Sequence, residues 1–274
     1  ALSELFIYNL VPVAAIVGIA FAPHVSDRVT KPSAAIAVAF WTLGSAVASS
    51  AIYFSYSTLT NTASNIFYLL FYPLAIIGLP RLLAANRKLS VIELVDSSIF
   101  GLGLSTLGSA LVAKPLLPHF GGNIGETFFA TIYPIADLIL VCVVIATVSM
   151  QGFSRRGIIL SIGVIIFALT DILYLWHNIN GSYLIGSALD IGWIVGMLLI
   201  AESFWQPGID SQAREGINPI LISISVSLSA TLLALIAIGP DYFPRFILIP
   251  AIATLALAFA RMALALTQAR SIGQ

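Results

Sequence analysis

Charge is scarce in this sequence. Lys and Arg together number 12, Asp and Glu another 12, and charged residues fill only 9% of the 274 positions. A soluble globular domain carries roughly a quarter, so this chain lacks the polar groups needed to cover a surface in water. The scarcity excludes the soluble classes, and with 59% hydrophobic residues it points to a chain whose outer face meets lipid. The net charge is zero and the cations are scattered over loops, so there is no basic patch of the kind that holds nucleic acid. The single cysteine, Cys142, lies in an apolar run and reads as a buried, inert thiol.

Catalytic signatures are missing too. No GxSxG, HExxH, Walker A or dinucleotide fingerprint occurs. The histidines number three, His24, His119 and His177, and none stands at a ligand spacing such as HxxxH. His119 and His177, with Glu126 and Asp241, fall near one surface, but nothing in their spacing gathers the three or four ligands a metal needs.

What is present is a series of long apolar runs. A helix needs about 20 apolar residues to cross the hydrocarbon core. Nine segments qualify, 5–23, 34–55, 64–83, 91–113, 126–149, 157–177, 183–204, 217–238 and 245–267. The links between them are short and hold the turn formers and most charges. The expected fold is all-α, a polytopic membrane bundle of about nine transmembrane helices occupying residues 1–267 as one domain. Residue 1 is Ala, and the first run is preceded by Glu4 with no basic stretch, so it reads as a spanning helix and not a signal peptide. Residues 268–274 read as the start of a cytoplasmic linker helix that continues beyond Gln274.

Orientation follows from the cations. With the N-terminus outside, Arg28, Lys31, Arg81, Arg87, Lys88, Arg155, Arg156, Arg214, Arg261 and Arg270 fall on the cytoplasmic side, leaving only Lys114 and Arg245 outside. The C-terminus is then cytoplasmic and the protein a multi-pass cell-membrane protein. A short echo joins two inward-running helices, Phe71-Tyr72-Pro73-Leu74-Ala75 and Ile132-Tyr133-Pro134-Ile135-Ala136. It fits either a duplicated hairpin or coincidence in a restricted apolar alphabet.

Three carboxylates stand inside predicted spans, Asp137, Asp171 and Asp190. Each costs about 2.5–3.5 kcal/mol on insertion scales. At 1.5 Å of rise per residue, Asp171 and Asp190 come out about 10 Å below the external surface and Asp137 near mid-membrane. They occupy consecutive helices, and each shares a helical face with an aromatic: Tyr133 four before Asp137, Tyr174 three after Asp171, Trp193 three after Asp190. The functional reading is an external pocket lined by Tyr133, Asp137, Asp171, Tyr174, Asp190 and Trp193, suited to a small polar or cationic ligand or to proton uptake. The alternative is that each carboxyl is protonated and hydrogen-bonded across helices as packing glue. Glu93 and Asp96, beside Arg87 and Lys88, read as interfacial ion pairs, and Gly192 with Gly196 as a small-residue face for close helix packing.

The succession YPIADLIL (133–140), the basic pair Arg155-Arg156, TDILYL (170–175), GSALDIGWIVG (186–196) and AESFWQP (201–207) resembles the multi-helix membrane regions ahead of GGDEF and EAL domains in bacterial, notably actinobacterial, cyclic-di-GMP signalling proteins. The resemblance covers about half the chain. It implies a sensory module of the bacterial inner membrane that passes a signal through its last helix to a cytoplasmic output domain, often as a homodimer. The GGDEF and EAL signatures themselves are absent from these residues, so cyclase or phosphodiesterase activity would belong to a further domain. The alternative function is a small secondary transporter using the intramembrane carboxylates. A lipid-modifying membrane enzyme is a third reading, with no motif to support it.

Overall fold

The computed structural model describes residues 2–25, 27–54, 58–83, 91–116, 124–208, 219–238 and 248–272. Among the described residues there are nine α-helices and no strand: α1 Leu2–Phe21, α2 Thr30–Phe54, α3 Thr58–Leu83, α4 Val91–Leu116, α5 Ile124–Gln151, α6 Arg155–Ile179, α7 Asp190–Trp205, α8 Pro219–Ile238 and α9 Leu248–Ile272. The all-helical expectation holds. Five described segments are long and apolar enough to cross a membrane: Thr30–Ser50, Thr58–Leu83, Ile132–Ser149, Arg155–Ile179 and Leu248–Thr267. Ile7–Phe21 and Ile222–Ile238 are shorter apolar helices. Large apolar side chains stand on the outside, among them Phe21, Leu59 and Phe259. In water such a surface would aggregate; this is a membrane-associated protein in contact with lipid.

The chain divides into two compact units. The first comprises 1–87 and 152–210, the second 88–151 and 211–274. In the first unit α2 packs along α3, α6 along α7, and α1 lies against α2 and α7. In the second, α4 packs against α5, α8 and α9, and α8 against α9. Helices α5 and α6, expected as neighbours from their short link, belong to different units.

Small residues make the α6–α7 contact close. A Cβ added to Gly196 would lie 3.0 Å from the carbonyl oxygen of Gly163, and one added to Gly163 would lie 3.0 Å from that of Gly196. Gly192 lies against the Thr170 side chain. The Gly192 and Gly196 face is therefore a packing face, as read from the sequence, and its partner is α6.

At the end of the first unit where α1, α3 and α7 finish, a buried cation gathers their termini. Arg156, 2% exposed, donates Nε and Nη2 to the Gln206 carbonyl at 2.9 and 2.5 Å. Its Nη1 reaches the Leu82 carbonyl at 3.0 Å and its Nη2 the His24 carbonyl at 3.0 Å. The last carbonyls of a helix have no partner within it and carry the negative end of its dipole. A planar guanidinium with five donors satisfies several at once. Ser154, the α6 N-cap, accepts a hydrogen bond from the Gly157 N–H at 2.9 Å and starts the helix so that Arg155 faces out and Arg156 in. The sequence reading placed both arginines in a cytoplasmic loop. Adjacent residues on a helix point in different directions, and here only the first of the pair is exposed.

In the second unit Asp96, 2% exposed, forms a two-pronged ion pair with Arg261 of α9. Asp96 thus has a partner 165 residues away, where the sequence pointed to the neighbouring basic loop. Arg87 and Lys88 lie outside the described residues, as does the side chain of Glu93.

Candidate functional site

The first unit assembles its carboxylates from the α6–α7 contact. Close packing at Gly163 and Gly196 brings the first turns of α7 against the second half of α6. Trp193 then donates its indole N–H to Asp171 Oδ1 at 2.6 Å. From α3, Tyr72 donates its hydroxyl to Asp171 Oδ2 at 3.0 Å. Both carboxylate oxygens of Asp171 are engaged, by donors from two other helices.

Asp190 is the first residue of α7, where the sequence reading had started the span at 183. Residues 180–189 are turns, and Gly181 and Gly186 have positive φ, 63° and 84°, a region in which glycine meets no steric penalty. The turn allows the Gly186 N–H to donate to Asp190 Oδ2 at 2.6 Å and the Tyr183 hydroxyl to Oδ1 at 2.8 Å. A carboxylate in the first turn is also favoured by the helix dipole. Asp190 accordingly sits at the mouth of α7 and not one or two turns inside it, yet it is only 8% exposed.

Aromatic rings join the two carboxylates. Tyr174 meets Tyr183 edge-on at 4.7 Å between centroids and Trp193 at 5.5 Å. Trp41 of α2 lies 6.4 Å from Trp193 and 5.8 Å from Tyr68 of α3, and Tyr8 of α1 lies 6.4 Å from Trp41. Tyr8 and Tyr68 are within electrostatic range of both carboxylates. All five helices of the unit contribute. The outer edge is the 180–189 turn, where Leu184 and Ile185 are exposed and His177 shares a 2.9 Å hydrogen bond with Ser182.

Of the six residues expected to share a pocket, Asp171, Tyr174, Asp190 and Trp193 are joined in this network. Tyr133 and Asp137 belong to the second unit. There Asp137 is fully buried on α5, and Tyr133 stacks on Phe129 at 6.1 Å. Sequence reasoning missed Tyr72, Tyr183, Tyr8, Trp41 and Tyr68. Tyr72 carried a signal, since it is the tyrosine of the repeated Tyr-Pro motif. Tyr183 stood seven residues before Asp190 in what reads as continuous helix. His119 and Asp241 lie outside the described residues, as does the side chain of Glu126. Among the described residues no three His, Cys, Asp or Glu side chains form a metal-binding group.

Chemically, the cluster offers two carboxylates held by N–H and O–H donors of aromatic side chains. A ring face attracts a cation by about 0.5–2 kcal/mol, more when desolvated. The carboxylates accept hydrogen bonds or exchange a proton. Ser182 and His177, a hydroxyl beside a base, are in hydrogen-bond contact at the exposed edge of the turn. Comparison with known proteins found no matching family model, no matching curated protein and no matching solved structure.

Proposed function

We propose that this chain is a sensory module of the cell membrane. In this reading about nine helices span the bilayer with the N-terminus outside, and a small polar or cationic ligand binds from the external side. The signal passes through α9 to a cytoplasmic output domain, with two copies acting as a homodimer. The observation that carries the proposal is the joining of Asp171 and Asp190 through Trp193, Tyr174 and Tyr183 at one end of α6 and α7. An intramembrane carboxylate is costly and by default marks a functional site, and two of them among aromatic side chains suit a cation. The likeness of residues 133–207 to membrane regions of cyclic-di-GMP signalling proteins supports the sensory class. Small shifts between packed helices are an ordinary way for such a module to report occupancy.

The test is a chimera in which a diguanylate cyclase domain follows α9 in frame. External tetramethylammonium or an external acid pulse should change cyclase output, and Asp171→Asn with Asp190→Asn should abolish the change without lowering protein level. Output indifferent to both stimuli would overturn the proposal.

One observation favours a secondary transporter as the second reading. Helix α7 has 16 residues and follows an irregular segment with two positive-φ glycines, as the broken helices of transporters do. Uptake of labelled tetramethylammonium by proteoliposomes, abolished by the same variants, would favour it over the sensor.

A further inference from the structure

A cleft of about 440 Å³ lies at the turn between α1 and α2, in the first unit and away from the carboxylate cluster. It is lined by the apolar Ala20, Val25, Pro32 and Ala35 and by the charged Asp27, Arg28 and Lys31. We propose that it binds the phosphate of an anionic phospholipid, with the headgroup in the cleft and the acyl chains along the exposed apolar surface beginning at Phe21.

The charges lining the cleft are arranged for an anion. Asp27 is already answered: the Thr30 hydroxyl donates to its Oδ2 at 2.6 Å, and Arg81 stands 3.8 Å from the same oxygen. The Lys31 ammonium is fixed by donating to the Ala22 carbonyl at 2.8 Å. That bond leaves two of its three N–H donors for another partner. Arg28 is exposed and presents a planar fork that matches phosphate oxygens. With Asp27 paired to Arg81, two lining cations, Arg28 and Lys31, stand beside the N-terminus of α2, whose dipole adds positive potential.

A free phosphate would satisfy the charged lining residues but not the apolar ones. Phe21 is 75% and Val29 43% exposed on either side of the turn, so the cleft lies between apolar side chains that enter lipid. Basic pockets between membrane helices are a known way of selecting anionic headgroups. The proposal needs only that the chain lies in a membrane and is independent of the ligand proposed for the carboxylate cluster.

The experiment uses the full chain in phosphatidylcholine nanodiscs doped with phosphatidylglycerol, with lipid retention read by native mass spectrometry. Arg28→Gln should weaken phosphatidylglycerol retention by about fivefold, the loss expected for one basic residue at a membrane surface. Arg155→Gln removes an exposed cation of the same end that does not line the cleft, and should leave retention unchanged. Equal loss in both variants would show diffuse surface charge and overturn the proposal. So would equal retention of phosphatidylcholine and phosphatidylglycerol, or displacement of the lipid by free glycerol phosphate at comparable concentration, which would make the occupant a soluble anion.

Discussion

Trp193 donates its indole N–H to Asp171 across the α6–α7 contact at 2.6 Å, one helical turn before the glycine on α7 that lets the two backbones meet. The carboxylate cluster is therefore built on helix packing, and disturbing the packing should disturb the cluster. Gly196→Ala places a methyl 3.0 Å from the Gly163 carbonyl. It should destabilise the protein by about 1–3 kcal/mol, as overpacking does, and shift Trp193 fluorescence. A variant as stable as the parent, with unchanged emission, would show that the contact tolerates a side chain.

Arg156 holds three helix ends with no carboxylate among its four bonds. Arg156→Met should cost about 3 kcal/mol or more, since several buried carbonyls lose a charged donor together. Arg156→Lys should recover only part of that, because an ammonium lacks the fork. The neighbouring exposed cation provides the contrast: Arg155→Gln should fall within about 0.5 kcal/mol of the parent. Thermal unfolding in one detergent compares all three.

The Asp96–Arg261 pair ties α9 to α4 from a position where Asp96 is almost fully enclosed. A double-mutant cycle with Asp96→Asn and Arg261→Gln should give a coupling above the ~0.2–1 kcal/mol of exposed pairs. Additive single effects would mean that the pair does not hold α9.

Asp27 gives a pH signature. The Thr30 hydroxyl first, then the backbone at Val29 and the Arg81 guanidinium, hold its carboxyl below the ordinary carboxylate value. A group whose pKa is lowered by folding adds stability above its unfolded value, about 3.9, and that contribution is lost as the pH falls through the depressed native value. The drop in melting temperature between about pH 6 and pH 3 should therefore be smaller in Asp27→Asn than in the parent. An equal drop would show that Asp27 does not take part.

Much of the architecture was legible because lipid imposes a coarse rule: runs of about 20 apolar residues must be helices. The small-residue face of α7 followed from helical spacing, and the grouping of Asp171, Tyr174, Asp190 and Trp193 from that spacing together with shared depth and consecutive helix order. Tertiary partners were not legible. Tyr72 and Asp171 are 99 residues apart, and apolar helices carry no pairing code that a single sequence exposes. The start of α7 was misplaced because Tyr183 to Leu189 is nearly as apolar as a helix, and only Gly186 hinted at the turn that lets Asp190 fold back. Consecutive order suggested that α5, α6 and α7 belong together, whereas the division into units runs between α5 and α6.

The most direct test of the central claim is a titration of the purified chain in nanodiscs with tetramethylammonium, read as melting temperature. Binding to the folded state stabilises it by mass action. The account predicts a saturable rise that shifts to about tenfold higher concentration in Asp171→Asn and in Asp190→Asn, as expected when one charge contact of ~1.4 kcal/mol is lost. A rise that never saturates, or one that both variants retain at the same concentration, would contradict it.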